Sequence, residues 1–201
     1  MMNASESHRI FIGIALPEPL KRALGEVQHA FKLRAVKGKW PSPDYFHVTL
    51  KYIGTTEIER INEITQVISE AVAKTPPFTL TLGSFASFGF NTTGGHVSLR
   101  ILYQIIESDA FLNALYANLE AALDSLGIAK ETRPYTPHIT LGKDVRMPDF
   151  AYEQLKLEQQ TTVILALNEE VTVAAIQVFK SENVHGSMQY VPIREIKLGG
   201  K

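Results

Sequence analysis

Two copies of a four-residue motif, His-x-Thr-Leu, constrain this chain more than any other feature of its sequence. The copies are His47–Leu50 and His138–Leu141. Hydrophobic periodicity predicts the same order of elements around each copy: a strand, a helix, the motif strand, a second helix and a further strand. The first motif histidine lies 36 residues after Phe11 in its opening strand, and the second lies 39 residues after Leu99. This repetition predicts two lobes related by a pseudo-twofold axis, each of which contributes one motif strand to a shared cleft.

Apolar runs, helical periodicity and stops at Gly or Pro define the individual elements. The predicted strands are Arg9–Leu16, Tyr45–Ile53, Phe78–Leu82, His96–Leu102, His138–Leu141, Thr161–Leu167, Glu170–Phe179 and Met188–Leu198. The predicted helices are Glu18–Leu33, the span from Ile58 to Ala71, Ala110–Leu126 and Met147–Leu157, and Lys37–Pro43 is predicted to be a loop. No long linker separates the halves, so residues 1–201 are expected to fold as a single bilobal domain.

Charge and composition limit the class of protein. The net charge of the 201 residues is -1 and the pI is about 6.6, so an electrostatic grip of the whole surface on long nucleic acid is not expected. A small phosphate pocket, which needs only a few local cations, remains compatible. The absence of cysteine excludes disulfides, thiolate metal sites and a cysteine nucleophile. With no secretory signal at its start and no apolar run near the roughly 18 residues that span a bilayer, the chain is expected to be cytoplasmic and free of membranes.

The motif places an imidazole and a hydroxyl on one face of each strand. Side chains alternate along a strand, so His47 and Thr49 share a face, as do His138 and Thr140, while the intervening aliphatic residues point into a core. Opening a cyclic phosphodiester requires one group that removes a proton from the nucleophile and another that protonates the leaving oxygen. Imidazole holds either state near neutral pH, and threonine hydroxyls can donate to the non-bridging phosphate oxygens. The pair of motifs therefore indicates acid–base catalysis without a metal.

Three other uses of these histidines compete with acid–base catalysis. A metal site usually needs a third ligand on the same face, and the motif supplies none, because Asp44 precedes the strand. A nucleophilic threonine would point parallel to its histidine, which is poor geometry for proton abstraction. Both histidines could be structural residues of half-exposed strands, but two such motifs among six histidines arise by chance on the order of once in a few thousand cases. Acid–base catalysis is therefore favoured.

The motif segments resemble those of the two-histidine phosphoesterase superfamily, particularly the bacterial and archaeal RNA 2′,3′-cyclic phosphodiesterases, also called 2′-5′ RNA ligases. The segments that carry the resemblance are RIFIGIALPEPLKRAL, FHVTLKYIG, RPYTPHITLGK and VFKSENVHGSMQYVPIREIKL. The resemblance implies an α+β fold in which two antiparallel β-sheets with flanking helices face a central cleft. It implies hydrolysis of RNA 2′,3′-cyclic phosphate to a 2′-phosphomonoester without a cofactor, with His47 as proton donor to the leaving 3′ oxygen and His138 as the acceptor that activates water. The residues alone leave these two roles open, because the motifs are nearly equivalent.

Three further residues are candidates for substrate binding. Arg133 matches an arginine of the family's second motif segment and could hold a phosphate in bidentate fashion. Tyr52 and Tyr135 could stack a terminal base. All three are also compatible with purely structural roles, Arg133 as a surface loop residue and the two tyrosines as packing residues. Gly142-Lys143, directly after the second motif, departs from the family pattern at a place where relatives vary.

The expected partners are RNA ends that carry a 2′,3′-cyclic phosphate, tRNA halves among them, and the chain is expected to act as a monomer. Three other functions stay open. The same histidines would catalyse the reverse reaction, which joins RNA ends through a 2′-5′ linkage. The substrate could instead be a cyclic phosphate on a small nucleotide, such as an ADP-ribose derivative. A non-catalytic RNA-end-binding module is the third, although phosphate binding does not require two titrating groups.

Overall fold

The computed structural model describes residues 6–156 and 171–199, which form two antiparallel β-sheets with helices packed against them. The first sheet contains, in spatial order, β11 (Ser187–Lys197), β10 (Ala175–Val184), β1 (Ser7–Ala15) and β3 (His47–Glu57). The second contains β2 (Lys37–Lys39), β8 (His138–Pro148), β7 (His96–Ile106) and β5 (Leu82–Phe88), with β6 (Asn91–Thr93) paired to β7. A short ladder joins β4 (Phe78–Leu80) to β9 (Val171–Val173). The helices are α1 (Glu18–Arg34), α2 (Ile58–Val72), α3 (Ala110–Ser125) and α4 (149–156), and a 3₁₀ turn covers Pro43–Tyr45.

The element order of the first half recurs in the second. The two halves run β1-α1-β3-α2-β4 and β7-α3-β8-α4-β9. Each motif strand pairs antiparallel with the opening strand of its own half, β3 with β1 and β8 with β7. The closing strands of the halves, β4 and β9, pair with each other. The predicted α+β architecture, with two antiparallel sheets in a pseudo-twofold arrangement, is confirmed.

Two helices pack against the sheet of the other half. From α1, Gln28 Nε2 donates to the carbonyl of Leu141 in β8 at 2.9 Å, and Phe31 meets Phe85 of β5 edge to face with ring centroids 5.9 Å apart. From α3, Glu120 forms an ion pair with Lys51 of β3 at 2.7 Å. Because of this exchange, the buried apolar residues of both sheets belong to one continuous core.

The motif strands bury the faces that the sequence predicts. Val48, Leu50, Ile139 and Leu141 are at most 3% exposed, while the histidines and threonines between them are half-buried. The aliphatic residues thus anchor each strand in the core and leave its other face to the cleft between the sheets. This is the alternation that the period of two requires.

Some predicted elements differ from the structure. The predicted loop Lys37–Pro43 is wrong in part, because Lys37–Lys39 form β2 at the edge of the second sheet, paired with β8; its sequence, KGK, has no apolar alternation to reveal a strand. The predicted strand Glu170–Phe179 is divided at Ala174 into β9 and β10. The Met147–Leu157 helix is confirmed as α4, over 149–156. The predicted strand Thr161–Leu167 lies outside the described residues.

Candidate active site

Both motif histidines line one cavity between the two sheets. The cavity has a volume of about 360 Å³, which is at the small end of the range for ligand pockets. His47 and Thr49 enter it from β3, and His138 and Thr140 enter it from β8. The structure therefore brings together the four side chains that the two motifs were predicted to present.

A hydrogen bond to the backbone orients each imidazole in the same way. His47 Nδ1 lies 2.7 Å from the carbonyl oxygen of Tyr45, and His138 Nδ1 lies 2.7 Å from that of Thr136. A carbonyl oxygen can only accept, so each Nδ1 carries a proton and each Nε2 is left to exchange one. In both motifs the acceptor is two residues before the histidine, which repeats the pseudo-twofold at atomic detail.

The surroundings of the two rings differ. His47 packs against Phe11 and Tyr190, with ring centroids 4.7 and 5.0 Å away, and its Nε2 lies 3.1 Å from Thr49 Oγ1. His138 packs against Tyr103 at 5.1 Å, and its Nε2 has no hydrogen-bond partner in the described part of the chain. His138 is thus the more open ring.

Burial and local charge lower the pKa of both histidines. Desolvation is the main cause at His47 and lowers its pKa to about 4, with smaller contributions from the Lys143 and His138 charges, while the Tyr45 carbonyl opposes the shift. Desolvation is also the main cause at His138, where the Thr136 carbonyl again opposes it and Lys143 again lowers the pKa. These shifts favour the neutral form of both rings at pH 7.

Matching bulges aim two further side chains into the cavity. The register between β1 and β3 shifts at Leu50, and the register between β7 and β8 shifts at Leu141. An extra residue reverses the alternation that follows it, so Tyr52 and Lys143, each five positions after a motif histidine, join the cavity lining. Strict alternation would place both on the opposite face, which is why sequence reasoning gave Lys143 no role.

The charge that lines this cavity is positive. Arg9 and Lys143 line it, and none of the lining residues that the structure describes is an aspartate or a glutamate. The Arg9 Nε donates to the Tyr52 hydroxyl, and its guanidinium carbon lies 5.3 Å from the centroid of the Tyr52 ring. Across residues 6–156 and 171–199, no three His, Asp or Glu side chains cluster as a metal site would require. The lining suits an anion.

Arg133 and Tyr135 lie outside this cavity. The Arg133 side chain is 83% exposed and pairs with Glu131 at 3.1 Å. Tyr135 stacks on Tyr116 with centroids 4.0 Å apart, and its hydroxyl donates to the Thr49 carbonyl at 3.2 Å. Both residues line a second, larger cavity that adjoins the first. The Tyr135 hydroxyl thus holds the backbone of the first motif strand at Thr49.

Sequence reasoning missed several lining residues besides Lys143. Arg9 and Tyr190 reach the cavity from β1 and β11, and Tyr45 reaches it from the turn before β3. The sequence predicts the opening strand as buried structure, and the closing hairpin only supports the resemblance. Arg9 reaches the cavity because β1 pairs antiparallel with the motif strand β3, and the local sequence gives no signal of that pairing.

Comparisons with known proteins agree with this architecture. Residues 16–184 match the model of the 2′-5′ RNA ligase superfamily. A Thermotoga maritima protein named RNA 2′,3′-cyclic phosphodiesterase is 28% identical over 141 residues, which cover 70% of this chain and 72% of the relative. A Geobacillus stearothermophilus protein of the same name is 28% identical over 137 residues, but the match covers 66% of this chain and only 41% of that protein. The crystal structure of Escherichia coli LigT complexed with 3′-AMP superimposes with a TM-score of 0.69 at 20% identity, over 96% of this chain and 99% of that one.

Proposed function

The chain belongs to the 2′-5′ RNA ligase superfamily, and we propose that it hydrolyses the 2′,3′-cyclic phosphate at RNA ends to a 2′-phosphomonoester. The relatives at 28% identity are named for that cyclic phosphodiesterase activity. The observation that carries the proposal is the pair of histidines, one from each half, that line one cavity with Nε2 left to exchange a proton. Hydrolysis of a phosphodiester needs one acid and one base around a single phosphorus atom.

The proposed reaction uses each Nε2 once. The neutral histidine removes a proton from a water molecule, and the water oxygen forms a bond to phosphorus. The bond between phosphorus and the 3′ oxygen breaks, and that oxygen takes the proton of the protonated histidine. The product carries a 3′ hydroxyl and a 2′-phosphate, and the two histidines have exchanged protonation states. In accord with the family resemblance, His138 acts as the proton acceptor and His47 as the donor.

The donor role of His47 depends on the charge of the substrate. Burial lowers its pKa to about 4, which makes it the weaker proton carrier of the two. A bound cyclic phosphate brings one negative charge between the rings, and a nearby opposite charge raises the pKa of an imidazole. Binding of the substrate therefore favours the protonated state of His47, which burial disfavours.

A substrate with sulfur in place of the 3′ oxygen tests the two roles. A thiolate, with a pKa near 8.5 for the thiol, leaves without an acid. The His47→Ala variant should then recover most of its activity on the sulfur substrate, whereas His138→Ala should not. Recovery in His138→Ala alone would reverse the assignment without affecting the reaction itself.

Hydroxyls and cations stabilise the charge that develops on the phosphate. Thr49 and Thr140 lie beside the two histidines and can each donate to a non-bridging oxygen. Lys143 lies on β8, the strand that also carries His138. Arg9 lies on β1 in the other sheet. Tyr52, whose side chain is half exposed at 49%, offers a ring at the mouth of the cavity for the terminal base.

The test is incubation with an oligonucleotide that ends in a 2′,3′-cyclic phosphate, in the presence of a chelator, followed by identification of the phosphate position. A 2′-phosphate is expected. His47→Ala and His138→Ala should each lower kcat by about 10²–10⁴-fold, the usual contribution of a general acid or base. His29→Ala, at an exposed position of α1, is the matched control and should act as the unchanged protein does. Full activity of either motif variant would defeat the mechanism.

Ligation through a 2′-5′ linkage is the second candidate, and the name of the matched superfamily model favours it. A 5′ hydroxyl would replace water as the nucleophile, and the same two histidines would transfer the protons. Paired tRNA halves, one with a cyclic phosphate and one with a 5′ hydroxyl, distinguish the reactions by product length. Joined RNA with a 2′-5′ linkage would establish ligation, and a 2′-phosphate alone would leave hydrolysis as the activity.

A further inference from the structure

A second cavity continues from the candidate active site. It has a volume of about 950 Å³ and shares Thr49, Tyr52 and His138 with the first cavity. It has three walls, which are formed by β3, by β7 around Arg100, and by the segment 128–136. We call it the side groove. A ligand whose reacting group lies between the motif histidines can therefore extend into the side groove without leaving the protein surface.

The side groove is rich in cations. Arg100, Lys130 and Arg133 line it, and Glu131 is the single carboxylate among its described lining residues. Lys130 pairs with Asp124 at 3.2 Å, and Arg133 pairs with Glu131, while no ion pair within the described residues involves Arg100. Exposed pairs of this kind contribute little to stability, so a phosphate can replace the carboxylate partner at little cost. A chain whose net charge is -1 thus collects positive charge beside its catalytic histidines.

Buried contacts hold the loop wall of the side groove in place. The Lys51 ammonium donates to the Ala129 carbonyl at 2.8 Å, and the Glu120 carboxylate accepts from the Glu131 backbone N–H at 2.8 Å. Lys51 and Glu120 are themselves paired, with both side chains 8% exposed. The wall is therefore positioned before any ligand arrives, and ligand binding does not have to order it.

We propose that the side groove binds the RNA strand on the 5′ side of the terminal nucleotide, with Arg100, Lys130 and Arg133 contacting successive backbone phosphates. This inference rests on the proposed function, since it concerns the same substrate. Single-stranded nucleic acid is held by a basic groove that follows the backbone and by aromatic rings that stack its bases. Tyr52 stands at the junction of the two cavities, and the exposed cations lie on two walls of the side groove. The strand occupies the groove, and the cyclic phosphate lies between the histidines.

The experiment compares two substrates that end in the same reacting group. One is uridine 2′,3′-cyclic phosphate, which has no 5′ phosphates, and the other is a short oligouridylate with a 2′,3′-cyclic phosphate. Arg100→Gln, Lys130→Gln, Arg133→Gln and the triple variant are assayed with both. Arg22→Gln, at an exposed position of α1 outside both cavities, is the matched control for loss of a cation.

The expected result is a loss confined to the longer substrate. The triple variant should lower kcat/KM for the oligonucleotide by at least tenfold and leave the mononucleotide unchanged. Each single-stranded phosphate contact contributes about 0.7 to the slope of log affinity against log salt. The triple variant should therefore reduce that slope by about 2. Glu131→Gln removes the carboxylate that competes with the phosphate for Arg133, and it should raise kcat/KM for the oligonucleotide.

The outcomes separate this inference from the proposed function. One outcome is that the unchanged protein opens both substrates and the slope of log affinity against log salt is the same for it, for Arg22→Gln and for the triple variant. The side groove then does not bind the strand. In that case, a loss caused by Met188→Gln at the β10–β11 hairpin would place the strand on the other side of the cavity. If neither substrate is opened by the unchanged protein, the proposed function itself fails.

Discussion

Lys143 lowers the proton affinity of both catalytic candidates beyond the effect of burial. Its charge lowers the pKa of His47 and of His138, although burial is the larger cause at each. A cation at this place has two opposed effects. It attracts the phosphate, and it makes the proton donor harder to protonate until the phosphate arrives. Both effects follow from one ammonium group that shares the cavity with the two imidazoles.

The pH dependence of kcat/KM reports this electrostatic arrangement, because that ratio reflects the free protein. Activity needs one protonated and one neutral ring. Below the lower pKa both rings are protonated and the base is lost, whereas above the higher pKa both are neutral and the acid is lost. With the pKa of His47 at about 4 and that of His138 below 6.5, the maximum should lie between those two values. A pH titration of initial rates measures it.

Removal of the Lys143 charge should move this profile toward higher pH. Lys143→Gln raises the pKa of both rings, so both limbs shift to the alkaline side, and KM rises because a phosphate-binding cation is lost. Lys143→Arg keeps the charge and should restore the profile. Lys39→Gln is the control, since Lys39 is 79% exposed and paired with Asp144. A raised KM with an unchanged pH profile would show that Lys143 binds the phosphate but does not affect the proton affinity of the histidines.

The two motif threonines should contribute separately from the histidines. Thr49→Val and Thr140→Val each remove one donor to a charged oxygen, which costs about 1.5–3 kcal/mol, or roughly 10- to 150-fold in kcat/KM. Serine at either position keeps the hydroxyl and should restore most of the loss. Rates measured on one oligonucleotide for all four variants decide the point. Valine variants as fast as the unchanged protein would exclude the hydroxyls from the reaction.

At the scale of elements, a buried ion pair joins β3 to α3. Lys51 follows the first motif on β3, Glu120 lies on α3, and the two are 2.7 Å apart with little exposure. Both groups also hold the backbone of the segment that forms one wall of the side groove. The motif strand, the helix from the other half and the groove wall are thus fixed to one another at a single place.

Loss of one partner of this pair should be costly. Glu120→Gln leaves the Lys51 charge buried without a counterion, and removal of one partner of a buried pair typically costs about 3–5 kcal/mol. Replacing both residues, as Lys51→Met with Glu120→Leu, removes the uncompensated charge and should recover much of the stability. Chemical denaturation of these two variants and of the unchanged protein measures this. A double variant that is no more stable than Glu120→Gln would mean that the groove wall, rather than the pair, dominates the loss.

The sequence predicts the regular parts of these elements and misses the irregular ones. Alternation in the two motifs correctly predicts which side chains face the core, because the period of two holds from His47 to Leu50. It fails from the next residue on, because bulges at Leu50 and Leu141 reverse the faces. Gly142 marks the second bulge, where a Cβ atom would lie 2.8 Å from the ring of Trp40. That contact is between residues about a hundred positions apart and leaves no local pattern in the sequence.

At the scale of the molecule, repetition predicts more than local pattern does. The matched spacing of the two halves predicts their pseudo-twofold relation and the meeting of the two motifs. It does not predict that α1 and α3 pack on the opposite sheets, since an amphipathic helix shows that it has a partner but not which one. The side groove is equally hidden, because Arg100 and the segment 128–136 come together only through the antiparallel sheet and the α3 anchor.

The exchange of helices predicts that the two lobes unfold together. Trp40, the single tryptophan, packs against Gly142 of the second sheet, so its fluorescence reports that lobe, whereas far-ultraviolet circular dichroism averages both. The two thermal transitions should coincide, as a cooperative two-state unit requires. Glu120→Gln, which breaks a contact to β3 of the first sheet, should lower both midpoints equally, by roughly 10 °C for a chain of this size. A tryptophan midpoint that stays in place while the dichroism midpoint falls would show that each lobe melts by itself, and the cavity between them would then be lost together with the first sheet alone.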